Sequence, residues 1–472
     1  MIRRVIVMLA ALLGAATAAA DGVTLPDVQR VELGNGTVLL INQKDDVPLV
    51  GVSIVLRGGA AADPEDRHGL GSLYAELIQK GAGDRDSLEF AEAIDSVGGR
   101  MYVAAGREGV TITAEFLSRD VDLMLELLSD MLMRPTLDRA EFERIKERSI
   151  NLLLAAKDSD PGQLMPTYAH AFLFGEHPYG NPVEGSESSL ANISHADIVD
   201  YFEQQVGGDR LIIAVSGDID AAEVETQLAA TFGEWRAAAT PLAEVIAAEP
   251  ATGRRVLLID KPGTTQTYFW IGNLGVAIDY PDRAALDLAN TVFGGRFTSM
   301  LNNALRVESG LTYGARSRLV RPSQPGSVAI SSFTATDTTV EAIDLALDVL
   351  ARFKNSGVSA ELLDSAGNYV LGQYPMRLET ATQLAMQFTQ LEAYGLGTDY
   401  VDGYADAVGA VTAESVATVI DAVYPSADEL VFVLLGDAEL IREQVARYGE
   451  ITEMAITAPA FHPPPDEPPP DE

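Results

Sequence analysis

The chain repeats itself at long range. Val38-Leu39-Leu40-Ile41 returns as Val256-Leu257-Leu258-Ile259, an offset of 218, and LIIAVSGD (211–218) returns as LVFVLLGD (430–437), an offset of 219. Each copy is an apolar run closed by Gly-Asp, which reads as a buried strand running into a turn. The second pair is followed in each half by a segment of helical period, AAEVETQLAATFGEW in one and AELIREQVARYGEI in the other. Matched spacing at both ends of a unit of about 220 residues implies two similarly folded domains, and the unit is far too long for a solenoid repeat. The expected domains are 21–235 and 255–458, joined by an alanine- and proline-bearing linker over 236–254.

Within each half the periods mix. VTITAEFL (110–117) alternates like a strand, and SRDVDLMLELLSDMLMRP (118–135) then turns helical. Ser118 is the expected N-cap, Asp120 and Asp122 suit the positive helix end, and Pro135 stops the run. TTVEAIDLALDVLARFKNSG (338–357) is the counterpart in the second half. The expected class is α+β, with helices covering a largely antiparallel sheet in each domain.

The ends read differently. MIRRVIVMLAALLGAATAAADG has a basic start at Arg3 and Arg4, a short apolar core and a small-residue site at Ala18-Ala19-Ala20, the outline of a cleaved export signal over 1–20. The expected location is the periplasm if the source is Gram-negative, and the outside of the cell otherwise. No later segment is apolar enough to span a bilayer. Loss of the signal removes two arginines and no acid, so a net charge of -36 becomes -38. Such a charge argues against nucleic acid, which needs clustered cations. There is no cysteine, hence no disulfide and no thiolate ligand or nucleophile. Residues 459–472, ending in FHPPPDEPPPDE, are expected to form an extended, disordered tail rich in proline and acid.

Five stretches, in this order, resemble the two-domain bacterial branch of the pitrilysin/insulinase family of zinc peptidases. They are DPEDRHGLGSLYAELIQKGAG, DSVGGRMYVAAGREGVTITAEF, HPYGNPVEGSESSLANISHADIVDYFEQQ, VSGDID and FGGRFTSMLNNALRVESGLTYGARS. The resemblance covers roughly residues 25–455. It implies two α/β-roll domains, of the kind seen in the mitochondrial processing peptidase, facing each other across a chamber for an extended peptide. It also implies an inverted zinc motif, H-x-x-E-H, in which two histidines one turn apart hold zinc and the glutamate activates water.

The chain departs from that motif at every chemical position. Ser72 stands at the first histidine, Ala75 at the glutamate and Glu76 at the second histidine, and leucines 152–154 fall where a later glutamate would complete the site. No metal site is expected here. None of the five histidines, at 68, 170, 177, 195 and 462, has an i,i+3 or i,i+4 partner, and each is expected to have a structural role. His177 is assigned to a turn beside Pro178.

The second half keeps what the resemblance assigns to substrate handling: Arg306 and Tyr313, seven residues apart, and the Gly294-Gly295 turn before them. An arginine offers a planar fork to a carbonyl or carboxylate, and a tyrosine hydroxyl can donate to a developing oxyanion. The alternatives for the pair are an arginine held by Glu308 and a tyrosine packed in a strand; for the glycines, a plain turn. The resemblance therefore implies a non-catalytic subunit of a heterodimeric zinc metallopeptidase. Zinc and the general base would come from a partner chain bearing H-x-x-E-H, and peptide would be the substrate. Two other readings stand beside it: an inactive peptide-binding or scaffold protein of the same fold, and a peptidase that acts alone. Self-association is also open.

Overall fold

The computed structural model describes residues 22–250 and 252–463. The expected signal over 1–20 and residues 464–472 of the expected tail lie outside the described residues. Two six-stranded sheets form the frame. The first contains β1 (Gln29–Glu32), β2 (Val38–Gln43), β3 (Leu49–Arg57), β4 (Arg100–Ala105), β5 (Gly109–Leu117) and β6 (Leu211–Gly217), in the order β1-β2-β6-β3-β5-β4. The second contains β7 (Arg255–Asp260), β8 (Gln266–Leu274), β9 (Arg316–Val320), β10 (Ser327–Ala335), β11 (Val431–Gly436) and β12 (Glu450–Ala455), in the order β12-β7-β11-β8-β10-β9. Each sheet is largely antiparallel, with β2 parallel to β6 in the first and β7 parallel to β11 and β12 in the second. The class is the α+β arrangement expected from the sequence.

The repeat is real, but its first match is out of register. Val38 and Leu40 face the other half of the molecule, whereas Val256 and Leu258 face the helices of their own half. Side chains alternate between faces along a strand, so a one-residue slip reverses every one of them. Val38 pairs with Ile212 and Arg255 pairs with Val431. The structural offset is thus 255 − 38 = 217 at the first strand, against 431 − 212 = 219 at the second. The outermost strand departs further. It comes from the start of the first unit, as β1, and from the end of the second, as β12.

Each sheet is apolar on both faces, and the two faces are covered differently. On one face lie helices of the same half. For the first sheet these include α1 (Leu70–Leu77) and α2 (Val121–Met133), whose Leu73, Tyr74, Leu77, Leu127 and Met131 join the core with Leu39, Val52 and Ile54. A longer helix, α3 (Arg139–Ser159), follows. The other face is covered by the opposite half. Helix α4 (Met165–Phe174) belongs to the first half but lays Met165, Tyr168 and Ala169 on Leu257, Trp270 and Val433 of the second sheet. On the second half's own side lies α5 (Thr339–Ser356). Its later helix α6 (Ala381–Ala393) crosses back, setting Leu384, Ala385 and Phe388 on Val38, Leu40 and Ile212 of the first sheet. There Ser53 and Thr389 share a buried hydrogen bond of 2.8 Å.

Two local expectations change. Ser118 does not cap α2: a short 3-10 turn, Ser118–Asp120, precedes the helix, and the Ser118 hydroxyl donates to Asp218 at 2.7 Å. The ordered chain also runs past residue 459. Phe461 is 2% exposed and packs edge-on to Tyr168, with ring centroids 4.8 Å apart. Lys157 donates to the Ala458 carbonyl at 2.6 Å, and Ser188 N donates to that of Pro459 at 3.0 Å. Among the described residues no helix is long and apolar enough to cross a membrane.

The exchange of helices predicts coupled stability. The chain has two tryptophans, Trp235 in the first half and Trp270 in the second. Phe388→Ala should cost about 3–5 kcal/mol, the usual range for a buried phenylalanine. It should lower the urea midpoint read by single-tryptophan variants of either half, although Phe388 belongs to the second. A midpoint shift confined to Trp270 would show the halves to be independent.

Candidate functional site

The helix at the expected zinc position keeps the shape of such a helix. Leu70, Leu73, Tyr74 and Leu77 follow the i, i+3, i+4, i+7 spacing of a core-facing stripe and are all buried. Its start is fixed by Asp63, whose carboxylate accepts from Gly69 N at 2.8 Å and from Gly71 N at 2.9 Å. Burial pushes the Asp63 carboxyl up to about 7, against the lowering effect of these N–H donors. Gly69 has φ +94°, and a Cβ there would come 2.8 Å from Gly185 Cα. Only glycine permits this close approach at that dihedral, and it seats the 181–186 loop against the helix.

That loop reaches the first of the metal positions, and the others are engaged elsewhere. Ser72 is 8% exposed and donates to Glu184 Oε2 at 2.8 Å. Ala75 is 1% exposed. Glu76 is paired with Arg148 of α3. Where a third ligand would stand, Leu152 and Leu154 are exposed. A hydroxyl already donating to a carboxylate, a methyl group and a carboxylate held by a guanidinium do not fit zinc, which takes neutral imidazole, thiolate or free carboxylate. Among the described residues no group of three or more His, Asp or Glu is placed to hold a metal ion. Glu184 and Arg148 were not singled out from sequence; they meet their partners across 112 and 72 residues, and no local pattern announces either contact.

His170, His177 and His195 are held by hydrogen bonds, while the buried Nδ1 of His68 has no hydrogen-bond partner among the described residues. His177 Nδ1 accepts from Tyr179 N at 3.0 Å while Nε2 lies 2.7 Å from the Ile246 carbonyl, holding the turn at Pro178 as expected. His195 Nε2 meets the Leu137 carbonyl at 2.6 Å. His170 joins the two halves: Arg107 donates to its Nδ1 at 3.1 Å, and its Nε2 lies 3.2 Å from Ser327 Oγ. A ring that accepts at Nδ1 is neutral and donates from Nε2. Burial first, and then the charge of Arg107, push His170 down to about 3.

The second-half residues are in a different condition. Arg306 sits on a π-helical segment, Asn303–Glu308, and its guanidinium lies between two rings, 4.4 Å from the centroid of Tyr313 and 4.8 Å from that of Phe297. Such stacking holds the fork in one plane while leaving its edge donors free. Tyr313 is 75% exposed and Phe297 63%. Arg306 makes no ion pair among the described residues, with Glu308 or any other acid. Gly294 is buried, and a Cβ on it would stand 2.2 Å from Ser317 N; its bareness serves the packing of a π-helical turn, Thr291–Gly295, against β9. Gly295 is exposed. Phe297, which completes the stack, carries no signal in the sequence beyond being an aromatic residue near Arg306.

No recorded hydrogen bond, ion pair or ring contact joins the α1 positions to Arg306 and Tyr313 among the described residues. Between the halves lies a cavity of about 980 Å³, walled by β3, β5, linker residues 242–245, the β9–β10 loop and α6. Ser72, Ala75, Arg306 and Tyr313 are not in its wall.

Comparison with known proteins gives one consistent result. Residues 37–187 match the model of the insulinase family, peptidase family M16, and residues 192–369 match that of the peptidase M16 inactive domain. The chain is 22% identical over 353 residues to the uncharacterized zinc protease YmxG of Bacillus subtilis, covering 75% of this chain and 85% of that one. It is 24% identical over 356 residues to the non-peptidase homolog YmxG of Helicobacter pylori, covering 74% and 80%. Among solved structures, the peptidase M16 inactive domain from Pseudomonas fluorescens superposes with a TM-score of 0.80 at 22% identity, over 87% of this chain and 98% of that one. A protease from Helicobacter pylori does so with a TM-score of 0.80 at 17% identity, over 87% and 100%.

His170 yields a prediction with a definite sign. Its folded-state affinity for protons is lowered, so the stability it contributes is present above about pH 6.5 and is lost as pH falls toward 3. His170→Gln should remove up to about 3 kcal/mol of acid destabilisation between pH 6.5 and pH 4. The check is the difference in urea-unfolding free energy between wild type and variant across that range. Parallel curves would mean that His170 is not held neutral.

Proposed function

We propose, for a chain that belongs to peptidase family M16, the insulinase family, a role as the substrate-handling, non-catalytic subunit of a heterodimeric zinc metallopeptidase. The observation that carries this reading is an asymmetry. In the first half every metal position is a non-ligand or is engaged within the chain: Ser72 with Glu184, Glu76 with Arg148, Ala75 in the core. In the second half the half-buried Arg306 and the exposed Tyr313 are stacked on each other, and the arginine is unspent on any carboxylate among the described residues.

In this reading zinc and the water-activating glutamate belong to a partner chain with an intact H-x-x-E-H helix. Arg306 presents its guanidinium edge to a carbonyl or carboxylate of the bound peptide. The Tyr313 hydroxyl donates to the oxygen of the scissile carbonyl as charge develops there, an interaction that strengthens toward the transition state. The rings of Tyr313 and Phe297 keep the arginine oriented before the peptide arrives. Export across the inner membrane places the complex in the periplasm of a two-membrane cell. A second reading, a peptide-binding or scaffold protein without cleavage, uses the same open surface and differs only in lacking a catalytic partner.

The test is affinity capture of the tagged chain from its host, followed by assay of the eluate. A stoichiometric second chain bearing H-x-x-E-H, with EDTA-sensitive cleavage absent from the lone chain, is expected. In that complex Arg306→Ala or Tyr313→Phe should lower kcat/KM by about 100-fold, the typical loss for one transition-state donor. The lone chain should hold well below one zinc per molecule. Unchanged kcat/KM in both variants would remove the role of the pair; capture of no such partner would favour the scaffold reading.

A further inference from the structure

The chain is strongly acidic, yet residues 296–318 carry four arginines, Arg296, Arg306, Arg316 and Arg318, and one acid, Glu308. Arg316 and Arg318 lie on β9, the strand at the edge of the second sheet. Ser317 points into the helix-covered side, where it is 3% exposed. Alternation along the strand then puts Arg316, Arg318 and Val320 together on the opposite face, the one turned toward the first half. The register agrees: Arg318 pairs with Ala329, whose side chain lies on that inter-half face. All three residues are exposed. Neither Arg316 nor Arg318 makes an ion pair among the described residues.

The row has a beginning and an end. It starts three residues beyond Tyr313. It finishes at Val320, which with Arg321 and Gln324 forms part of the wall of the inter-half cavity. Seven residues of extended chain span at most about 23 Å. On the far side of that cavity lie Arg57, Arg107, Arg377 and Glu244, and α6 turns Gln383, Gln387 and Gln390 toward it at i, i+4 and i+7. Arg57 donates there to the Asp209 carbonyl and Arg107 to the Tyr179 carbonyl and His170. The carboxylate of Glu108 in this wall is already engaged by Tyr179 at 2.6 Å and by Ser323 N at 3.1 Å. The backbone edge of β9 is not open along its whole length, because Asn290 donates to the Ser317 carbonyl and Gly294 abuts Ser317 N. Recognition therefore rests on the side-chain row and not on an added strand.

We propose that Arg316 and Arg318 form a selectivity row for acidic, extended peptides, leading from the Arg306–Tyr313 pair toward the amide- and arginine-lined cavity between the halves. The proposal rests on the reading of Arg306 and Tyr313 as peptide-handling residues and adds the class of peptide they receive. Uncommitted guanidinium groups on the path favour glutamate- and aspartate-bearing segments and disfavour basic ones by like-charge repulsion.

The experiment uses the full chain alone and two fluorescein-labelled unstructured dodecapeptides, one of glycine, serine and glutamate, the other of glycine, serine and lysine. Fluorescence anisotropy should show the acidic peptide bound roughly tenfold or more tighter, with the advantage shrinking as salt shortens the screening length. The double variant Arg316→Gln/Arg318→Gln, at exposed strand positions and checked for an unchanged Tm, should lose about tenfold in affinity for the acidic peptide. Arg352→Gln, an exposed arginine on α5, should not. Equal affinity for the two peptides, or a preference that survives in the double variant, overturns the proposal. Because binding is read on the single chain, that result leaves the two-chain reading standing. Failure to find a catalytic partner leaves this binding measurement intact.

Discussion

A sheet that is apolar on both faces must be covered twice, and here the second cover always comes from elsewhere in the chain. Helix α4 leaves the first half to lie on the second sheet, and α6 leaves the second half to lie on the first. This exchange follows from the strands themselves. Leu211–Gly217 and Val431–Gly436 are buried along their whole length, which is the pattern of a strand enclosed on two sides. The cavity, the inter-half network at His170 and the outlook of β9 all depend on this crossed packing, because each lies where one half meets the cover supplied by the other.

The same packing explains how a helix can keep a peptidase's outline without its chemistry. What seats α1 is its leucine and tyrosine stripe, the carboxylate of Asp63 at its start and the glycine contact between residues 69 and 185. None of these involves a metal. The ligand positions hold ordinary contacts instead, a serine–glutamate hydrogen bond and an arginine–glutamate pair. The Arg306–Tyr313 stack is different. Two large aromatic rings and a guanidinium stacked between them remain at the surface.

Much of the frame is legible in the sequence, because strand period, helix period and the Gly-Asp endings repeat in both halves. The register of the first match is not. VLLI reads the same whichever face its first residue takes, and only the partner strand decides. The owner of each cover is equally hidden. The stripe of Leu384, Ala385, Phe388 and Leu391 announces an amphipathic helix, but nothing in it names the sheet it will lie on. At the site, Ser72, Ala75 and Glu76 are readable as departures from a motif. Their neighbours Glu184 and Arg148 are not, since loop docking sets those contacts. The stacking of Arg306 on Phe297 escapes for a similar reason, as two π-helical segments shift the side chains away from the positions that an even helical count assigns.

The crossed covers also fix an order of events in synthesis. When residue 235 leaves the ribosome, the first sheet is complete, yet of the cluster around Val38, Leu40, Ile212 and Ala214 only the N-terminal Val23, Leu25 and Val28 and Val55 of β3 have been made. The cover from the second half begins at Tyr374 and Leu378, just before α6. The last tie is later still: β12 ends at residue 455, and Phe461 then locks onto Tyr168. A nascent chain of this design leaves that face of the sheet incompletely covered from residue 217, where β6 ends, until residues 374–393 are made, and it closes only at its end. Timing, as much as final stability, is therefore written into which half lends its helix to the other.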